Sequence, residues 1–360
     1  MQISVLIGTN RSGLSACARI AQACSWASPD IEVIVRDNSG NADKRELLAR
    51  MRGEHRNIIL AEPCDALTNF SEILRLAQGD FIFLAADDDF LFDHAIAALP
   101  PLIEKVGGDP AVAGITGAYL VESGQFGSSI MTYQDAEADD AVTRVAGYLN
   151  NGGPNILHYA PVRREVVQSV FAFMNTLPFY FSFHDQVVSL LYLLKGKFAR
   201  LNRIIYGYDL GPWASPETAQ QRDLDYYREA GLDPAINKLH WFLCGFEGAL
   251  LARNAAGLPD YPLPQRQAIA DRWFTAMYHR FRSQPRLAGD SVFAGAADRL
   301  CAKLQAPAAQ LSFESMLSEI CGLIALSSPE QAQRYFDFWA AAIAGRLRAP
   351  AVAAAESRVA

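Results

Sequence analysis

Three consecutive carboxylates, Asp87, Asp88 and Asp89, stand directly after the apolar run Phe81-Ile82-Phe83-Leu84-Ala85-Ala86. Such a run, introduced by Gly79-Asp80, reads as a strand buried on both faces that delivers its charges at its carboxyl end. Like charges about 4 Å apart repel by roughly 1 kcal/mol even in bulk water, and by more beside a buried sheet, so the triplet favours a bound divalent metal. The competing reading is an acidic turn that opens the next helix, with Asp93 as N-cap for a helix over 94–106. A second constellation is His184-Asp185, placed between the aromatic Phe179-Tyr180-Phe181-Ser182-Phe183 and an apolar helix over 187–194. An apolar wall raises the pKa of a carboxylate there and the helix N-terminus lowers it, and either balance suits a general base. The plainer alternative is an N-cap aspartate beside a histidine that packs.

The elements that must position these groups alternate from the start of the chain. Strand-like runs at 3–8, 31–36 and 57–61 are separated by helical patterns at 14–26, 44–51 and 69–77, and the strand at 81–86 follows. That rhythm predicts βαβ units with right-handed crossovers, and in such sheets a ligand sits beyond the carboxyl ends of the strands. Polar loops fall there: Gly8-Thr9-Asn10-Arg11-Ser12-Gly13 after the first strand and Asp37-Asn38-Ser39-Gly40 after the second. Each loop alone could be turn chemistry; three on one edge favour a site. The first loop matches neither a dinucleotide fingerprint nor a P-loop. Beyond the strand-like 198–208 the pattern turns wholly helical, over about 218–230, 234–254, 263–283, 288–305, 312–326 and 329–347. The aromatic residues of these helices, Tyr226 and Tyr227 included, fall at spacings expected of bundle packing, with an acceptor-stacking platform as the alternative.

Composition narrows the classes. The chain has 360 residues, 51% hydrophobic and 20% charged, enough for a large core or two domains. Its net charge of -7 argues against nucleic acid as partner. The acidic excess lies early: residues 1–213 carry 17 Lys and Arg against 24 Asp and Glu, and residues 214–360 carry 15 of each. Six cysteines without metal-ligand spacing read as free thiols in a reducing compartment, and the absence of a signal sequence or a long apolar run predicts a cytoplasmic protein. Peripheral membrane contact stays compatible with a polar chain working on a lipid-borne substrate.

The order of 3–11, 33–39, 69–89 and then His184-Asp185 resembles glycosyltransferase family 2, the GT-A-type nucleotide-sugar transferases. The resemblance covers roughly residues 1–213 and is most specific over Asn69-Phe70-Ser71-Glu72-Ile73-Leu74-Arg75-Leu76-Ala77-Gln78-Gly79-Asp80-Phe81-Ile82 and the aspartates that follow. It implies an α/β fold with a mainly parallel Rossmann-like sheet over 1–213, to which the pattern adds a helical region at 214–348 and a disordered tail at 349–360. It implies that Thr9, Asn10, Arg11, Asn38 and Asn69 line the nucleotide pocket and that Asp37 contacts the base. Asp87, Asp88 and Asp89 occupy the DxD position, holding Mn²⁺ or Mg²⁺ against the donor diphosphate, and Asp185 matches the base of inverting members. Two departures stand out. Ala86 falls where many members carry the first aspartate, and His184 replaces an acid. Arg163 or Arg164 could contact a phosphate or face solvent.

The reading is a metal-dependent inverting transfer of a sugar from a UDP-sugar to the hydroxyl of a glycan, lipid-linked or protein acceptor. The helical region would select the acceptor or join copies into a homo-oligomer. The alternatives are a nucleotidyltransferase on a similar sheet and a non-catalytic nucleotide-sugar-binding or scaffolding protein.

Overall fold

The computed structural model describes residues 1–347 except 12–14, 54, 56, 123–126, 134, 154, 210–215, 255–260, 284–291 and 307–311. The boundary expected at 213 and the tail expected at 349–360 lie outside the described residues. Strands β1 (Ile3–Thr9), β2 (Ile31–Asp37) and β3 (Ile58–Leu60) alternate with helices α1 (Ser15–Cys24), α2 (Ala42–Arg52) and α3 (Ala66–Leu76), and β4 (Phe81–Leu84) follows. β1 lies between β2 and β4, parallel to both, and β2 pairs in parallel with β3. All four residues of β4 are buried, as a strand covered on both faces must be.

After the aspartates the chain departs from the simple alternation. β5 (Phe90–Leu91) turns back to pair antiparallel with a late strand, so the triplet sits in a tight connection between two strands of one sheet. The expected single helix over 94–106 is two, α4 (Asp93–Ile96) and α5 (Leu99–Val106), because Pro100 and Pro101 occupy the first turn of the second, where a missing N–H costs nothing. Asp93 is not the cap: Phe92 holds that position, and the Asp93 carboxylate accepts instead from Trp26 Nε1 at 2.7 Å and Gln22 Nε2 at 3.0 Å.

The rest of the sheet comes from β6 (Val112–Glu122), β7 (Ser128–Thr132), β8 (Val162–Arg163) and β9 (Lys197–Asp209), with α6 (Ala141–Asn150), α7 (Arg164–Met174) and α8 (His184–Lys195) between them. The strand order is β3-β2-β1-β4-β8-β6-β9-β5, with β7 alongside β6. β8 is antiparallel to both β4 and β6, whereas β6 and β9 run parallel, so the sheet is mixed and mostly parallel. The helical region follows as α9 (Pro216–Glu229), α10 (His240–Asn254), α11 (Leu263–Ser283), α12 (Val292–Gln305), α13 (Phe313–Ala325) and α14 (Pro329–Ile343). One continuous apolar core runs from Ile3 through α8 to Trp273 and Trp339, so the helices share their interior with the sheet. Among the described residues no helix is long and apolar enough to cross a membrane.

The approach to β4 is close-packed. Gly79 N–H donates to Ser4 Oγ at 2.8 Å, and a Cβ at Gly79 would lie 2.6 Å from the Ser4 nitrogen. Backbone cannot yield there without moving β1. Gly79→Ala is therefore expected to lower stability by about 1–3 kcal/mol, seen as a lower urea midpoint with an unchanged denaturant slope.

Candidate active site

The carboxyl edge of β1, β2 and β4 is organised by a residue that sequence reasoning passed over. Lys44 sits in the first turn of α2, whose N-cap Asn41 accepts from its backbone N–H at 2.9 Å. Its side chain is wholly buried, and its ammonium meets Asp37 Oδ1 at 3.1 Å, the Arg11 carbonyl at 2.8 Å and Asp87 Oδ2 at 3.9 Å. Thr9 Oγ1 accepts from the same ammonium and donates to Asp87 Oδ2. A cation in a first helical turn opposes the helix dipole, so it needs partners. The one sequence signal was Lys44 lying four residues before Leu48 on the buried stripe of α2.

Asp37 and Thr9 are thus supports beneath the site. Asp37, expected at the base, is fully buried and engaged by Lys44 and by Ser39 Oγ at 3.2 Å. Its neighbour Asn38 lines the pocket. Asn38 Nδ2 donates to the Cys64 carbonyl at 2.7 Å, while its buried Oδ1 has no hydrogen-bond partner.

The three aspartates do not converge. Arg11 Nη1 lies 3.3 Å from Asp87 Oδ1 and also contacts Asp88 Oδ2. Asp89 turns the other way, accepting from Tyr206 OH at 2.7 Å and from the Asp209 backbone N–H at 2.9 Å. Burial pushes the Asp89 carboxyl up, against those two hydrogen bonds. Tyr206 also receives the Ala86 N–H at 3.0 Å, so β9 clamps the loop at both ends. Among the described residues no three His, Cys, Asp or Glu side chains gather as a metal cage. The donor set fits a smaller demand: Mg²⁺ and its analogues bind through one or two carboxylates together with substrate phosphates, and Asp87 with Asp88 provides two that share one counter-ion.

The same pocket is lined by Asp185, the second residue of α8. The N-cap is Phe183, without a side-chain cap, so the carboxylate does not serve as the cap. Tyr180 OH approaches Asp185 Oδ1 at 3.4 Å. Burial first, and the Asp185 charge second, push the hydroxyls of Tyr159, Tyr180 and Tyr192 well up. His184 faces away and is buried. Its Nδ1 accepts from the Phe181 N–H at 2.7 Å, which leaves Nε2 to donate to Glu247 Oε2 at 2.9 Å; Tyr335 OH donates to the other oxygen at 2.8 Å.

Asn10, Arg11, Asn69 and Asp87 line the same pocket as Asp185. Tyr226 of α9, read from sequence as bundle packing, lines it too, whereas Tyr227 is buried as expected. Arg163 and Arg164 do not reach it. Arg163 donates to the carbonyls of Gly107 at 2.9 Å and Asp109 at 2.6 Å, and Arg164 to that of Gln78 at 3.0 Å.

No protein-family model matches the sequence, and no curated protein matches it. Among solved structures, the chain is similar to S. aureus TarS 1-349, with TM-score 0.50 and 14% identity, covering 96% of this chain and 88% of that one. The same protein in complex with UDP-GlcNAc gives TM-score 0.50 and 12% identity over 96% and 88%. In complex with UDP it gives 0.50 and 13% over 96% and 92%. The fold is GT-A-type. Within this GT-A-type sheet, the loops after β1, β2 and β4 and the start of α8 meet at one pocket.

Removing one partner of a buried ion pair leaves an uncompensated charge and costs about 3–5 kcal/mol. Lys44→Met is expected to lose that much in chemical denaturation, and Lys44→Met with Asp37→Asn less than the sum of the two single losses.

Proposed function

We propose that this protein is an inverting glycosyltransferase that moves a sugar from a nucleotide donor, a UDP-sugar, to an acceptor hydroxyl. The carrying observation is the placement of Asp185 in one pocket with Asn10, Arg11, Asn38 and Asp87. A donor whose diphosphate lies along the Arg11 and Asp87 edge turns its anomeric carbon toward the Asp185 wall. The acceptor oxygen then forms its bond to that carbon as the bond to the diphosphate breaks, the electron pair leaving with the nucleotide and the hydroxyl proton passing to Asp185. One displacement inverts the centre. Arg11 bears on the diphosphate, and Lys44 keeps Asp87 and Thr9 in place beneath it.

Charge supports a cation in the reaction. Among the described residues Lys44 pairs with Asp37 and Asp87, and Arg11 with Asp87 and Asp88, so three carboxylates share two cations at this edge before any diphosphate arrives. Asp87 and Asp88 would hold Mn²⁺ or Mg²⁺, which supplies neutralisation of the departing diphosphate when bound. The UDP reading draws on the TarS complexes with UDP-GlcNAc and UDP. Tyr226 lines the same pocket as Asp185, which supports a part for the helical region in shaping the acceptor side of the site.

A thermal-shift panel of UDP-, GDP- and dTDP-sugars with and without Mn²⁺ tests the donor, since a ligand that binds only the native state raises Tm. The expected result is a shift with a UDP-sugar that grows with Mn²⁺; no shift with any donor rejects the reading. Asp185→Asn should keep the donor shift and lose about 10²–10⁴-fold in transfer rate. Undiminished transfer in that variant would remove Asp185 as the base.

A further inference from the structure

The cation nearest Asp88 is a side chain of this protein. Arg11 Nη1 contacts Asp88 Oδ2 and lies 3.3 Å from Asp87 Oδ1, so both carboxylates bear on one guanidinium nitrogen rather than on the two-nitrogen fork that makes arginine–carboxylate contacts strong. The two ends of Arg11 differ in their surroundings. Its carbonyl is fastened to Lys44 at 2.8 Å, while its side chain is 39% exposed and lines the pocket. Lys44 cannot act in this way, being fully buried among Thr9, Asp37 and Asp87. Asp87 keeps Thr9 and Lys44 when Arg11 leaves. Independently of the charges, Asn38 Oδ1 on the pocket wall is an acceptor without a partner in a residue 3% exposed, a place for an N–H or O–H of a bound nucleoside.

We infer that Arg11 is a displaceable counter-ion that couples metal to nucleotide. Without donor it neutralises Asp87 and Asp88; when a nucleoside diphosphate enters, the guanidinium transfers to the phosphates, whose geometry it matches with two hydrogen bonds, and the freed carboxylates take the divalent cation. Metal alone must compete with Arg11, and nucleotide alone meets an acidic edge. Each therefore strengthens the other, by the same factor in both directions. This rests on the nucleotide and metal reading above and adds a residue-level cause for cooperative binding.

The test is a Mn²⁺ titration followed by the EPR signal of free Mn²⁺, with and without UDP, on the full chain. In the native protein UDP should tighten Mn²⁺ binding, by a factor within the ordinary range of about 5–150 for coupled sites. In Arg11→Gln, Mn²⁺ without UDP should bind more tightly than in the native protein, UDP alone more weakly, and the coupling factor should fall below the native value, leaving the direct attraction between metal and diphosphate. Asp88→Asn should weaken Mn²⁺ in both backgrounds, and an unchanged Tm without ligand certifies that each variant folds. Unaltered coupling in Arg11→Gln, or metal binding that weakens there, overturns the exchange while leaving the nucleotide site standing. Native protein that binds neither Mn²⁺ nor UDP removes the underlying reading together with the exchange.

Discussion

A single buried ammonium ties together the ends of three structural units. Lys44 joins the end of β2 at Asp37, the end of β1 at Thr9 and the loop after β4 at Asp87, while its own helix starts on the Asn41 cap. Isolated charges of either sign could not occupy this layer, because desolvation would exceed any gain from folding around them. Together they form a polar knot between the hydrophobic sheet and the open pocket. The loops above it, including Asn10 and Arg11 on one side and Asn38 on the other, inherit their positions from that knot.

The acidic triplet follows from the same constraint. Three adjacent aspartates cannot all face one point without a cation, and in this protein they divide the work. Asp87 joins the Lys44 knot and Asp88 pairs with Arg11. Asp89 pins the far end of the loop to Tyr206 and to the backbone of Asp209. The triplet divides by direction: Asp89 is committed to β9, and Asp87 and Asp88 share Arg11 as a counter-ion. Ala86 loses nothing as a structural position, since its backbone N–H is the group held by Tyr206.

The helical region is part of the same construction. His184 would leave a buried Nε2–H without an acceptor if Glu247 of α10 were absent, and Glu247 would be a buried charge without His184 and Tyr335. Each half therefore satisfies polar groups of the other, one residue away from Asp185. Tyr226 adds a direct contribution to the pocket wall.

Hydrophobic periodicity and turn residues are local, and what they encode was readable directly: β1 to β4 with their alternating helices, the helices after 216 and the polar loops at the carboxyl edge; only the family resemblance joined Asp87 to Asp185. Some details failed for equally local reasons, such as the proline pair that divides the helix after Asp93. Partnership was not legible. Lys44 finds Thr9 across 35 positions, His184 finds Glu247 across 63, and Asp89 finds Tyr206 across 117. No spacing rule links such pairs. The sequence by itself determined which elements form and which chemistry sits at their ends, because those depend on neighbouring residues. Only the tertiary structure decided which carboxylate is buried, which is capped and which faces the pocket, because burial and charge compensation are set by groups that folding brings together.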